Sequence, residues 1–267
     1  MKEVDSARMN IVVCVKQVPD TWAEKKLNPD DKTLDRAAAD VIVNEVDEEA
    51  VETALKLVEE HGGEVTVLSV GPDRAADAIR KALSMGADKG VHVVDDAIHG
   101  SDAIATSALI AAALAKLEFD LVLFGSESTD ARMSVIPAMI AERLSLPQLT
   151  FANHVEVNGT DVTVHRQTET GHDVVAGATP AVISIVEKTS PPRYPSFKGI
   201  MAAKKKPVET YSVADLGLDA AEVGLAAAWS GVQDFAARPP RAAGVRVTDE
   251  GDGGTKIADY LTEQKLL

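Results

Sequence analysis

Apolar and polar positions alternate in blocks along the chain. Residues 11–18, IVVCVKQV, are apolar and β-branched and run into Pro19-Asp20, the pattern of a buried strand breaking into a loop. In DEEAVETALKLVEE, residues 47–60, Ala50, Val51, Ala54, Leu55 and Val58 recur at helical spacing behind an acidic first turn that complements the helix dipole. This predicts an amphipathic helix that starts near Asn44 or Asp47 and stops at Gly62-Gly63. VTVLSV at 65–70 reads as a strand, followed by a Gly71-Pro72 turn and a helix carrying Ala76, Ile79 and Leu83 inward as far as Gly86. VHVV at 91–94 predicts a short strand, and a helix opened by Ser101 or Asp102 runs to Leu117. The strand DLVLF, 120–124, ends in the polar loop GSESTDAR, and helix returns over 134–144.

Strands alternating with helices of this length imply a three-layer α/β/α domain around a mainly parallel, twisted sheet. After Pro147 the pattern changes. HVEVNG and DVTVHRQ, split at Asn158-Gly159, predict a hairpin with a type I′ turn, and AVISIVEK at 181–188 predicts another buried strand, so the sheet has an antiparallel addition. The organisation expected is a polar N-terminal extension over 1–8, with Met9 as an alternative start, an α/β domain over 9–206, and an extended C-terminal arm over 207–267. In that arm Gly, Pro, Ala and Asp dominate, so it cannot easily build its own core. It ends in the helical pattern IADYLTEQKLL, which needs a partner's surface to lie on.

Composition narrows the function. The 27 basic and 42 acidic side chains leave a net charge of −15, which argues against nucleic-acid binding, because phosphate backbones need a basic face. Cys14 is the sole cysteine and sits inside an apolar run, so it reads as filler rather than nucleophile, and a reducing cytoplasm fits. The longest apolar run, 108–115, falls short of the roughly 20 residues of a membrane span, so the protein is not expected to be membrane-embedded. The six histidines lack metal-site spacing, and there is no GxSxG elbow, Walker motif or GxGxxG, so no catalytic or metal residue is assigned.

In an open parallel sheet ligands bind beyond the carboxyl ends of the strands. Three segments qualify: the end of the first strand at Cys14 to Lys16, the turn after Val70, and the loop over 125–136. That loop leaves its strand through a glycine and enters a helix with Ser134 as expected N-cap and Pro137 in the first turn. Backbone amides of Ser134, Val135 and Ile136 at a helix start suit a phosphate. The same pattern also fits a loop that only turns the chain.

The segments VVCVKQVPDT at 12–21, NEVDEEAVETAL at 44–55, GPDRAADAIRKALSMGADKGVHV at 71–93, PPRYPSFKGIMAAKKK at 191–206 and RPPRAAGVRV at 238–247 resemble the beta subunit of electron transfer flavoproteins, the bacterial FixA type. The resemblance covers nearly the whole chain after Met9. It implies an adenine-nucleotide-alpha-hydrolase-like fold and a non-enzymatic subunit of a heterodimer. In that heterodimer an alpha subunit carries the redox-active FAD and this chain buries a structural AMP. It also implies partners: acyl-CoA or other flavin dehydrogenases as electron donors, as in fatty acid oxidation, and a membrane quinone reductase as acceptor. Matching positions place AMP against Cys14, Asn44, Glu45, Val46, Asp47 and Val70, and along Gly125, Ser126, Glu127, Ser128, Thr129, Asp130, Ala131, Arg132, Met133, Ser134, Val135 and Ile136, the last three on the phosphate. Thr21, Arg166 and Gln167 fall near the partner's FAD. Arg193, Tyr194, Pro195, Ser196, Phe197, Lys198, Gly199 and Ile200 correspond to a loop that docks the dehydrogenase, with Phe197 at its tip.

The chain departs from the pattern at Ala131, Arg132 and Val135-Ile136-Pro137, where many relatives carry a second acidic residue and a Gln-Thr-Gly or Gln-Val-Gly run. The missing glycine disfavours the alternative of an electron-bifurcating subunit with a second FAD. Another alternative, a stand-alone universal-stress-type ATP-binding protein, would need neither the Phe197 loop nor the C-terminal arm.

Overall fold

The computed structural model describes residues 8–237, 239–240, 243–244 and 246–267. Most of the expected N-terminal extension therefore lies outside the described residues, as do four positions of the 238–247 motif. The chain divides into two compact units, Met1–Gln233 and Asp234–Leu267.

In the first unit eleven strands are described: β1 (Met9–Cys14), β2 (Gln17–Pro19), β3 (Val41–Val43), β4 (Gly63–Val70), β5 (Lys89–Val93), β6 (Leu121–Gly125), β7 (Gln148–Asn158), β8 (Asp161–Thr168), β9 (Gly171–Ala178), β10 (Ala181–Ile185) and β11 (Val208–Tyr211). Nine of them form one sheet in the order β11-β5-β4-β1-β6-β10-β7-β8-β9, while β2 and β3 pair separately. Every pairing from β11 to β7 is parallel, and β7-β8-β9 is antiparallel. This is the expected three-layer α/β architecture.

The helices α1 (Glu45–His61), α2 (Ala76–Met85), α3 (Ala103–Leu114), α4 (Ile136–Leu144), α5 (Phe197–Ala203) and α6 (Gly224–Ala227) complete the unit. Side chains alternate across a strand, so each central strand feeds two cores. Ile11, Val13, Val65, Val67, Leu121, Leu123 and Ile183 pack with α1 and α2 on one face. Val12, Leu68, Val91, Val122 and Val182 pack with α3 and α4 on the other.

Three expectations are corrected. The first strand is split, because Lys16 leaves the ladder and Gln17–Pro19 pairs with Val41–Val43 instead. In the β7-β8 hairpin Asn158 pairs with Asp161, so the central residues are Gly159 and Thr160. Only Gly159 has positive φ, at 62°, which is the II′ pattern with glycine first rather than I′. The main unit also runs past residue 206, because Val208–Tyr211 adds a parallel edge strand to β5. The second unit contains α7 (Gly253–Glu263), whose Ile257 and Tyr260 are exposed, and none of its helical residues is buried.

Leu123 is fully buried in the central strand. Leu123→Ala is expected to cost about 2–5 kcal/mol of stability, read as a lower urea midpoint with an unchanged slope.

Candidate functional site

Connections from β1 run to β4 on one side and from β6 to the other half of the sheet, so the strand order reverses between β1 and β6. A ligand crevice is expected at the carboxyl ends flanking that reversal. A cavity of about 310 Å³ opens there, lined by Cys14, Val70 and Phe124 from the strand ends and by Ser134, Val135 and Ile136 from the α4 entry. Its size is at the small end for ligand pockets.

Asp47, in the first turn of α1, closes the floor. Its Oδ2 accepts from the Lys16 amide at 2.8 Å and its Oδ1 from the Gly125 amide at 3.1 Å, joining the exits of β1 and β6. Gly125 is required, because a Cβ there would lie 2.4 Å from Asp47 Oδ1. Burial pushes the Asp47 carboxyl up to about 7, with the accepted hydrogen bonds only partly offsetting it. The same burial, and then the Asp47 charge, raises the Cys14 thiol well above its ordinary value, so Cys14 is an inert wall residue.

Asn44 precedes α1, as expected of a cap, but its side chain does not cap the helix. Its Nδ2 donates to the Glu127 carbonyl at 2.8 Å and its Oδ1 accepts from the Thr129 amide at 3.1 Å, fastening the 125–136 loop. Within that loop the Asp130 side chain is buried between Lys16 Nζ, at 2.7 Å, and Arg36 Nη2, at 2.8 Å. Burial works against its charge, but the two cations outweigh it and hold the carboxyl down at about 2.

The entry to α4 differs from expectation. Val135, not Ser134, is the N-cap residue, and Ser134 is left-handed at φ 54° with its hydroxyl donating to Glu127 Oε2 at 3.3 Å. Arg132 is also left-handed, at φ 50°, and its Nη1 lies 3.1 Å from Glu127 Oε1. A left-handed residue followed by the right-handed Val135 forms a nest whose successive amides face one point, a common anion cradle. Among the described residues the amides of Ser134, Val135 and Ile136 donate to no protein group.

Of the residues anticipated for the nucleotide, Cys14, Asp47, Val70, Gly125, Ser126, Glu127, Ser128, Ala131, Met133, Ser134, Val135 and Ile136 line the cavity. Asn44, Glu45, Val46, Thr129, Asp130 and Arg132 do not line it; Asn44 and Asp130 support the loop from behind. Sequence reasoning missed Arg36 and the start of α3, where Ser101, Asp102 and Thr106 form a further wall. Asp102 was anticipated only as the cap, and its side chain does accept from the Ala105 amide at 3.0 Å.

The other anticipated residues lie outside the cavity. Thr21 is exposed in the turn after β2, Gln167 pairs with His172 across β8 and β9, and the Arg166 guanidinium is spent on the carbonyls of Thr150 and Gln148. In the 193–200 segment Tyr194 is 96% and Phe197 81% exposed, while Arg193 is tied inward by acidic side chains of α1. Ser196 caps α5 by accepting from the Gly199 amide at 3.0 Å. Lys206, at the end of the 191–206 motif, donates to the carbonyls of Leu83, Gly86 and Ala87 at the end of α2. Among the described residues no cluster of His, Cys, Asp and Glu is arranged to hold a metal, and no helix is long and apolar enough to cross a membrane.

The electron transfer flavoprotein domain family matches residues 31–216. The chain is 52% identical over 264 residues to the electron transfer flavoprotein subunit beta of Mycobacterium leprae, covering 97% of this chain and 99% of that one. It is 41% identical over 217 residues to the same subunit of Clostridium acetobutylicum, covering 81% and 83%. It is also 36% identical over 242 residues to the caffeyl-CoA reductase–Etf complex subunit CarD of Acetobacterium woodii, covering 90% and 92%.

The two buried carboxylates have opposite pH signatures. Asp47, at about 7, keeps a proton that the unfolded chain has already released, so its contribution to stability falls as pH rises from about 4 to about 7. Asp130, at about 2, contributes stability above pH about 4 that is lost as pH falls toward 2. In denaturation series from pH 2 to 8, Asp47→Asn is expected to flatten the neutral-side fall and Asp130→Asn the acid-side loss.

Proposed function

The chain belongs to the electron transfer flavoprotein beta-subunit family, and from that premise we propose that it buries a structural AMP, supports the FAD of an alpha subunit and presents the heterodimer to its electron donors. The observation that carries the nucleotide assignment is the set of three amides without a protein acceptor at the α4 entry, in residues that line the cavity between β1 and β6. Amide dipoles at a helix start stabilise a phosphate without a cationic side chain. The fit is supported by the rest of the lining. Leu68, Val70, Ile110 and Phe124 give an apolar wall suited to a purine, and Ser101, Asp102 and Thr106 offer polar atoms for a ribose.

FAD, carried mainly by the alpha subunit, supplies the redox chemistry when bound. This chain's residues bind, orient and exclude water. Asp47 and Asn44 hold the phosphate loop to α1, and Asp130 anchors Lys16 and Arg36 at the cavity rim. Thr21, Arg166 and Gln167 belong to the side assigned to the flavin. The exposed Tyr194 and Phe197 form the contact for an acyl-CoA or other flavin dehydrogenase, because an aromatic side chain that fills a partner's pocket is a typical hot spot. A membrane quinone reductase accepts the electrons in turn. The second unit, with its exposed Ile257 and Tyr260, lies on the alpha subunit.

Two substitutions test the nucleotide assignment. Ser134→Pro is incompatible with φ 54° and is expected to abolish nucleotide retention in the assembled heterodimer, whereas Ser134→Gly relieves about 1 kcal/mol of strain and retains it. Equal nucleotide content in both variants, measured after denaturing the protein, would contradict the placement. Phe197→Ala is expected to lower electron acceptance from a reduced dehydrogenase about tenfold or more at unchanged flavin content, as for a hot-spot truncation.

A further inference from the structure

The exposed aromatic segment is held from behind by one face of α1. Glu49, Glu52 and Glu59 are spaced three and seven residues apart, which places them on the same side of that helix. Glu49 accepts from the amides of Lys188, at 2.9 Å, and Ser190, at 3.0 Å. Glu52 accepts from the Arg193 amide at 3.2 Å and takes its guanidinium in two bonds, Nε to Oε2 at 2.7 Å and Nη2 to Oε1 at 3.0 Å. Glu59 completes the cage at Nη1, 2.5 Å, and Nη2, 3.2 Å.

The Glu52 side chain is only 6% exposed. A carboxylate so placed is costly unless a well-directed cation meets it, and Arg193 does so with planar, two-point geometry that a lysine cannot reproduce. Residues 186–196 carry no strand or helix; Val186 and Thr189 are held at the Ala152 carbonyl and Ser190 meets Lys56 Nζ, but at Arg193 itself, between Pro191-Pro192 and Pro195, the segment is fastened by Glu52 and Glu59. The fastened stem ends at Arg193, and the next residue, Tyr194, is fully out in solvent.

We infer that Arg193, clamped by Glu52 and Glu59, is a positioning residue for electron acceptance: it preorganises the loop so that Tyr194 and Phe197 meet the dehydrogenase without first being ordered. The inference rests on the docking role proposed above. Ordering a loop before encounter raises affinity by removing part of the entropy cost of binding. The clamp therefore acts on how well the donor is engaged and not on the flavin.

The test uses the assembled heterodimer as acceptor for an acyl-CoA dehydrogenase reduced with octanoyl-CoA. Arg193→Lys is expected to raise the KM for the carrier about tenfold, as expected when preorganisation is lost, at unchanged kcat and flavin content. Adding Phe197→Ala to Arg193→Lys is expected to raise KM little beyond Phe197→Ala alone, because the clamp acts through the tip. Glu59→Gln removes only the outer arm of the cage and gives a smaller rise, a readout that survives if Arg193→Lys fails to assemble. Unchanged KM in Arg193→Lys or Glu59→Gln, or losses that multiply fully in the double variant, overturns the inference. A purely structural clamp would lower flavin content and melting temperature with KM unmoved. A wild-type heterodimer that accepts no electrons from this donor overturns the docking reading and the inference together, whereas normal wild-type transfer with an indifferent Arg193→Lys overturns the inference alone.

Discussion

One carboxylate joins the ends of two neighbouring strands, and the pocket depends on it. Asp47 takes the amides of Lys16 and Gly125, the residues at which β1 and β6 leave the sheet. Without that bridge both chain exits would present unpaired amides to an apolar interior, at a cost of about 1–3 kcal/mol each. The bridge works only because Gly125 carries no side chain and because α1 begins where its first turn reaches the crevice. The constraint is costly: burial raises the Asp47 carboxyl to about 7.

The same helix serves two surfaces. Its first turn, with Asn44 just before it, holds the loop that lines the cavity, while Glu49, Glu52 and Glu59 on its outer side hold the segment that carries Phe197. Charge is distributed accordingly. In a chain of net charge −15, Asp130 consumes the two cations nearest the cavity, so an anion there meets mainly backbone dipoles. Left-handed Arg132 and Ser134 are the local strain that aims those amides, strain of the kind stored at binding loops.

Periodicity made the alternating strands and helices of the core legible, because each central strand has two buried faces and each helix one. Edge elements were not legible. In β9, GHDVVAGA, most residues are exposed and no apolar alternation marks the strand, and β11 is four residues of an edge whose pairing with β5 is set by tertiary contact. Local chemistry gave the start of α1 at Asn44 but not the use of its side chain, which is spent on residues 83 and 85 positions away, and it misled at Ser134, whose hydroxyl is spent on Glu127 rather than on capping α4. Arg36 was missed because its partner, Asp130, lies 94 positions along the chain. The motif resemblance singled out the 125–136 loop, most of which lines the cavity, and the 193–200 segment, in which Tyr194 and Phe197 are exposed, but not the acidic face of α1 that fastens Arg193.

The central claim is that an amide-lined crevice between β1 and β6 grips an adenosine phosphate within a flavin-carrying heterodimer. Mass spectrometry of the small molecules released from the purified, co-expressed heterodimer tests it most directly. The account predicts one AMP and one FAD per heterodimer; two FAD and no AMP, or no adenine compound at all, would contradict it.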